Sequence, residues 1–105
     1  MAPDGSLYEG WWMNNQKQGR GRIFNANEQT VYEGDWNCDM MHGNGFYQWK
    51  DGSFYQGEFL NNNIHGNGKY TSIKGKKYEG SWVNNSKHGH GTQKWPDGRL
   101  YTGNF

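Results

Sequence analysis

Large rings and small residues alternate along this chain. In Tyr8-Glu9-Gly10-Trp11-Trp12, Tyr32-Glu33-Gly34-Asp35-Trp36, Tyr55-Gln56-Gly57-Glu58-Phe59 and Tyr78-Glu79-Gly80-Ser81-Trp82, an aromatic residue, a glycine and a second aromatic residue take every other position. Side chains two apart in an extended strand share a face. The rings and glycines therefore lie on one side, and Glu33, Asp35, Gln56 and Glu58 on the other. No 3.6-residue apolar period is sustained, and glycine recurs too often for helices. The pattern predicts strands.

The strands recur. Tyr-x-Gly begins at Tyr8, Tyr32, Tyr55, Tyr78 and Tyr101, in steps of 24, 23, 23 and 23. Gly-x-Gly begins at Gly19, Gly43, Gly66 and Gly89, always 11 residues after the tyrosine. The one extra residue thus falls between Gly21 and Tyr32. Asp4-Gly5, Asp51-Gly52 and Asp97-Gly98 precede three of the tyrosines; Lys74-Gly75 keeps only the glycine, and Glu28-Gln29 neither. Asn14-Asn15, Asn61-Asn62 and Asn84-Asn85 share one offset, where the second unit has Cys38-Asp39. Asparagine tolerates the positive φ of a two-residue hairpin turn. Such a turn pairs Trp12 with Lys17, Gly10 with Gly19 and Tyr8 with Gly21; a four-residue turn would shift the register and keep the faces.

Fixed-period hairpins predict an all-β repeat array, with antiparallel β-hairpins stacked edge to edge into an elongated, twisted single-layer sheet. It forms one domain over residues 1–105, with units starting near Tyr8, Tyr32, Tyr55 and Tyr78 and a partial unit at Tyr101. Glycine weakens a strand, so its recurrence needs a reason: it leaves room for large rings to lie across the backbone. The opposite face is wet, carrying His42, Asn44, His65 and Asn67 beside the acidic residues. Trp11 and Met13 of the first unit break that rule by pointing outward. The links bearing Asp-Gly could fold over part of the aromatic face.

Composition sharpens this picture. Only 31% of the 105 residues are hydrophobic and mean hydropathy is -1.23, values that lean towards disorder. Yet six Trp, seven Tyr and five Phe argue for a fold with a shallow aromatic core. Net charge is −4 over residues 1–68 (four basic, eight acidic) and +5 over 69–105 (seven basic, two acidic), together +1. Lys69, Lys74, Lys76 and Lys77 form a basic cluster suited to an acidic partner or anionic lipid headgroups. Cys38 is the only cysteine, which excludes an internal disulfide and fits a reducing compartment. The N-terminus lacks the layout of a signal peptide and no apolar run reaches membrane-spanning length. These features give a cytoplasmic expectation.

Catalytic and ligand chemistry find little support. His42, His65, His88 and His90 invite a metal, but equivalent residues of neighbouring hairpins stand roughly 9–10 Å apart, too far for ligand nitrogens at about 2.1 Å from one zinc. Gly-x-Gly lacks the third glycine and helix start of a dinucleotide site. Ser53, Thr71 and Ser72 fall in links without a base, and Cys38 stands beside Asp39 at a turn, not beside a histidine. Rings and positive charge do not coincide in the N-terminal two-thirds, against nucleic acid. The expectation is no enzyme, no cofactor and no metal. What remains is the aromatic face, because a single-layer sheet cannot bury both sides, and rings left partly open offer contact area.

The pattern Tyr-x-Gly-x-Trp, His-Gly-x-Gly and Asp-Gly at a 23-residue period resembles the MORN repeat (membrane occupation and recognition nexus). "YQGEFLNNNIHGNGKY" and "YEGSWVNNSKHGHGTQKWPDG" look like near-complete copies, and the resemblance covers Asp4 to Phe105. Departures are Gln18 for the family histidine, Cys38-Asp39 at the turn and Glu28-Gln29 at the link. The resemblance implies a non-catalytic scaffold of cytoskeletal or ciliary assemblies such as radial spokes, binding a partner helix in its groove or acidic phospholipids. As a further alternative it implies a regulatory segment of a larger multidomain enzyme. Because Phe105 falls halfway through a fifth hairpin, a longer array is expected, and unpaired sheet ends suggest homodimerisation. The partner is expected to be a helical or extended protein segment. Its surface is expected to be Tyr8, Trp12, Trp36, Tyr55, Phe59, Tyr78 and Trp82, with Tyr47, Trp49, Tyr70 and Trp95 lining the neighbouring edge. The alternative, lipid, surface is Lys69, Lys74, Lys76 and Lys77.

Overall fold

The computed structural model describes residues 5–105, so Asp4 of the first Asp-Gly pair lies outside the described residues. Nine strands follow one another: β1 (Ser6–Met13), β2 (Gln16–Asn25), β3 (Thr30–Asn37), β4 (Met40–Gln48), β5 (Phe54–Leu60), β6 (Asn63–Thr71), β7 (Lys77–Val83), β8 (Ser86–Lys94) and β9 (Leu100–Asn104). They form one open antiparallel sheet in chain order, measuring 46 × 24 × 16 Å. Isolated hairpins are marginal in water, so each unit depends on its neighbours.

The hairpin turns are two residues long. Asn14-Asn15, Cys38-Asp39, Asn61-Asn62 and Asn84-Asn85 all hold positive φ at both positions, between 46 and 71°. Cys38-Asp39 follows the asparagine pairs despite its different chemistry. The second turn residue also clips its hairpin to the one before. Met41 N–H donates to Asn62 Oδ1 at 2.8 Å, Ile64 N–H to Asn85 Oδ1 at 2.8 Å and Lys17 N–H to Asp39 Oδ1 at 2.6 Å. Asp39 offers the same acceptor, though not the amide donor that Asn85 Nδ2 directs to Asn63 Oδ1 at 2.9 Å.

The register corrects the expectation drawn from turn length. Trp12 does face Lys17, but Gly10 faces Gly21 and Tyr8 faces Ile23. A bulge slips the ladder between Gly10 and Trp12, and again between Gly34 and Trp36, Gly57 and Phe59, and Gly80 and Trp82. Its cause is the first glycine of each Gly-x-Gly: Gly19, Gly43, Gly66 and Gly89 hold φ of 81, 78, 104 and 78°, a left-handed conformation that favours glycine. A two-residue slip is even, so every side chain stays on its expected face.

The second glycine serves a different need. Gly10, Gly21, Gly34, Gly45, Gly57, Gly68, Gly80, Gly91 and Gly103 pair in sequence across all nine strands as one uninterrupted row. Each repeat tyrosine lies over this row. A Cβ at Gly45 would stand 2.5 Å from both Cε1 and Oη of Tyr32, inside van der Waals contact. The hydroxyls of Tyr8, Tyr32, Tyr55, Tyr78 and Tyr101 reach past the glycines to donate to the carbonyls of Trp11, Asp35, Glu58, Ser81 and Asn104, at 2.7–2.9 Å.

The links stack on one another. A Cβ on Gly52 would meet Ile73, and one on Gly75 would meet Pro96, each in the next link. Ser53 is buried and donates from N–H and Oγ to Asp51 Oδ1, which holds the Asp51 carboxyl below its ordinary pKa. The extra residue of the first unit is absorbed at Ala26–Gln29, where Gln29 takes φ 56° in place of the missing glycine.

Two predictions follow from the tyrosine-on-glycine packing. Gly45→Ala should destabilise the array by about 1–3 kcal/mol, read as a lowered urea midpoint; unchanged stability would mean that the Tyr32 ring is not fixed there. Burial, first among the causes, raises the pKa of Tyr32 and Tyr55 well above the ordinary value near 10. The fold holds the neutral phenol, so this stabilisation is complete below the unfolded value and lost as pH climbs through the folded one. Tyrosinate absorbance should therefore show a class of rings that ionises only with alkaline loss of the β-sheet circular dichroism signal.

Candidate partner groove

The aromatic face is built from two rows crossing the strands. Tyr8, Ile23, Tyr32, Tyr47, Tyr55, Tyr70, Tyr78, Gln93 and Tyr101 are mutual register partners. The second row alternates the other repeat aromatic with the residue two past each turn: Trp12 with Lys17, Trp36 with Met41, Phe59 with Ile64, and Trp82 with Lys87.

The repeat rings interlock. Trp36 packs edge-on against both Tyr8 and Tyr32, at centroid separations of 5.6 and 5.1 Å. Phe59 bridges Tyr32 and Tyr55, Trp82 bridges Tyr55 and Tyr78, and Phe105 bridges Tyr78 and Tyr101 in the same way. Trp36 Nε1 donates to Gly21 O at 3.1 Å and Trp82 Nε1 to Gly68 O at 3.2 Å, each fastened to the preceding hairpin. Edge-to-face ring pairs contribute about 0.5–1.5 kcal/mol each beyond their burial, so this ladder is a main source of cohesion between units.

That ladder divides the eleven rings expected at a partner surface. Trp36, Tyr55, Phe59, Tyr78 and Trp82 are buried; they floor the face and hold the fold. Tyr8 is half-buried against them, and Trp12 lies at the β1 edge, 57% exposed. Tyr47, Trp49 and Tyr70 are partly open and packed on the core. Trp95 stands apart on its link, between Lys76 Nζ at 5.8 Å and the Arg99 guanidinium at 5.1 Å from its ring centroid.

Between the two rows runs an open groove of about 460 Å³. Phe59 and Trp82 form its floor. Met41, Ile64 and Lys87, with the turn residues Asn62 and Asn85, make one wall; Tyr47, Trp49 and Tyr70 make the other. It crosses β4 to β8 and so runs along the array, perpendicular to the strands. Sequence reasoning named the aromatic wall and missed Met41, Ile64, Asn62, Asn85 and Lys87. The turn pairing of Trp36 with Met41 and Phe59 with Ile64 was the signal that could have found the two apolar ones.

The family follows from pattern and geometry together. The MORN repeat matches four segments, residues 8–27, 32–54, 55–77 and 78–98, each spanning one hairpin and link of this sheet. The chain belongs to the MORN repeat family. It is also similar to MORN repeat-containing protein 3 of Xenopus laevis, 38% identical over 48 residues, which is 46% of this chain and 20% of the relative. The chain thus spans a fifth of that relative's length.

Family departures keep their geometry in this MORN array. Gln18 Oε1 accepts from Cys38 N–H at 3.0 Å, the bridge that His65 Nδ1 makes to Asn84 N–H at 3.5 Å. These side chains tie neighbouring hairpins together. No group of three or more His, Cys, Asp or Glu among the described residues is placed to hold a metal ion. The four lysines of the basic cluster take different surroundings. Lys69 pairs with Glu79 at 3.7 Å on the wet face, Lys77 lies beside Tyr78 on that same face, and Lys74 and Lys76 sit in the link, with Lys76 over Trp95. The sheet's outer edges are β1 and β9. β1 exposes Trp11 at 72% and Met13 at 61%.

A core role for the second ring of each unit has a measurable consequence. Trp82→Ala should cost about 3–5 kcal/mol of stability, whereas Trp82→Phe, which restores the residue type used at Phe59, should cost about 1 kcal/mol for the lost Nε1 bond. Equal, small effects in chemical denaturation would place the ring outside the core.

Proposed function

We propose that the array is a non-catalytic scaffold that binds a protein segment along the groove walled by Met41, Ile64, Tyr47, Trp49 and Tyr70. The observation that carries this reading is the groove itself: a trough with an aromatic floor and a largely apolar lining, left open because the described residues form a single layer. Its floor rings are locked by the ladder beneath, so a ligand need not order them. Pre-organised aromatic walls give contact area at little entropic cost. The groove's direction along the array favours an elongated ligand over a compact one. Placement in a cytoplasmic cytoskeletal or ciliary assembly is the setting that the family resemblance suggests, and it rests on that resemblance alone.

Selection of a displayed random-peptide library on the immobilised array tests this. Peptides rich in Leu, Phe and Trp should be enriched, and their affinity should fall about tenfold or more on Met41→Glu, which places a carboxylate in the apolar wall. Circular dichroism of the variant should keep its β-sheet signal, because Met41 is only partly buried. Selected peptides that bind Met41→Glu and the native array alike would place the binding surface elsewhere.

A further inference from the structure

We propose that the groove takes a proline-rich segment in the polyproline II conformation, with apolar residues three apart over Met41 and Ile64 and a carboxylate three further on at Lys87; this rests on the groove reading above. The first argument is period. Met41, Ile64 and Lys87 hold one position in successive units, two strands apart, or roughly 9–10 Å. A polyproline II segment turns once in three residues and rises about 9.3 Å in doing so, so every third side chain meets an equivalent position of the array. A β-like ligand fails this match, because residues three apart in a strand point to opposite sides. An α-helix meets it after about two turns, so period alone does not separate these two.

Hydrogen bonding separates them. The hydroxyls of Tyr32, Tyr55 and Tyr78 are spent on carbonyls of the array. Those of Tyr47 and Tyr70, one unit apart on the aromatic wall, bond to no other described residue, and neither does the Trp49 indole N–H. Across the groove, Oδ1 of Asn62 and of Asn85 are already taken by the N–H groups of Met41 and Ile64. The groove thus offers unengaged donors, while its side-chain carbonyls are occupied. An α-helix brings backbone carbonyls already bonded within itself. A polyproline II backbone has no internal hydrogen bonds, and proline has no N–H. It brings free acceptors at the period of the two phenols and few donors in need of partners. Prolines at the intervening positions lie on Tyr47, Trp49 and Tyr70, as proline-rich segments do in aromatic-lined grooves, and their preset conformation lowers the entropic cost.

Charge sets the third contact. Lys87 Nζ donates to Oε1 of the buried Gln93 at 3.1 Å, and among the described residues no carboxylate pairs with it. Lys17, at the same position in the first unit, has Asp39 at 3.9 Å. Burial first, and the neighbouring charge of Lys76 second, lower the pKa of Lys87. Both disfavour the ammonium ion, and an arriving carboxylate would offset both. The trough therefore continues into a partly desolvated cation that an acidic residue of the ligand complements.

Fluorescence anisotropy of labelled peptides on the intact chain tests this. The parent peptide is Leu-Pro-Ser-Leu-Pro-Ser-Glu. Its controls are a variant with one Ser inserted between the two Leu-Pro pairs, a variant ending in Gln, and an α-helical peptide with two Leu and a Glu at seven-residue intervals. The parent should bind about tenfold or more tighter than the inserted variant, which takes one Leu off its position, and about fivefold tighter than the Gln variant. Tyr70→Phe, which removes a phenol donor and keeps the ring, should weaken the parent about fivefold. Lys87→Met should abolish the preference for Glu, and Lys87→Arg should keep it. Equal affinity for the parent and inserted peptides, tighter binding of the α-helical one, or no effect of Tyr70→Phe would overturn the polyproline II assignment. Equal affinity for the Glu and Gln peptides would overturn the role of Lys87. If no synthetic peptide binds while library-selected peptides do, the proposal falls and the groove reading stands. If the selected peptides fail as well, the groove reading falls with it.

Discussion

A phenol ring lying on a pair of glycines is the contact that the rest of this molecule depends on. The described residues form a single layer, so the sheet must find its core within its own thickness. It does so by removing every Cβ along one row and laying the repeat tyrosines flat on the exposed backbone. The hydroxyl reaches a carbonyl three residues on, so the ring's polar end is satisfied at the place where burial would otherwise penalise it. Glycine's entropic cost is offset by burial of Tyr32, Tyr55 and Tyr78, the largest of the fully buried side chains.

The same contact makes the units interdependent. Tyr8, Tyr32, Tyr55 and Tyr78 each pack against an aromatic residue of their own unit and one from the next, so none of these hairpins completes its core alone. The turn residues repeat this logic in polar form, since Asn62 and Asn85 satisfy backbone donors of the preceding hairpin. Stability therefore behaves as a sum of units and nearest-neighbour junctions. Trp36 and Trp82 each reach a glycine carbonyl of the preceding hairpin, while Trp12 of β1 is 57% exposed.

The strands, their order, the two faces and the turns were legible because a strict period of two and a repeat of 23 residues leave few alternatives. The bulge was not. Gly-x-Gly reads as two equivalent glycines, whereas Gly43 serves a left-handed backbone and Gly45 a tyrosine ring. Nothing in the residue names separates a conformational glycine from a steric one. The site was half legible for a related reason. An aromatic stripe announces a face, but whether a ring is floor or wall depends on which neighbour lies on it. Tyr55 and Tyr70 pair directly in the ladder, yet one is buried and the other opens into the groove. Closeness in sequence around a tight link likewise does not fix a face: Lys69 and Lys77 share the wet face, whereas Lys76 stands over the Trp95 ring.

A repeat protein that binds something specific must break its own symmetry, and the places where it does so are its information. Residues under the ladder cannot vary much, since each is fixed by two neighbours. The position two past each turn does vary along this chain, from Ile64 buried in the core to Lys17 and Lys87 at its margin. Its sequence here is Lys17, Met41, Ile64, Lys87, apolar in the middle and cationic at both ends, with one end already neutralised by Asp39. A ligand that fits the apolar middle meets an unpaired cation in only one direction. Such an arrangement gives an otherwise repetitive trough a polarity.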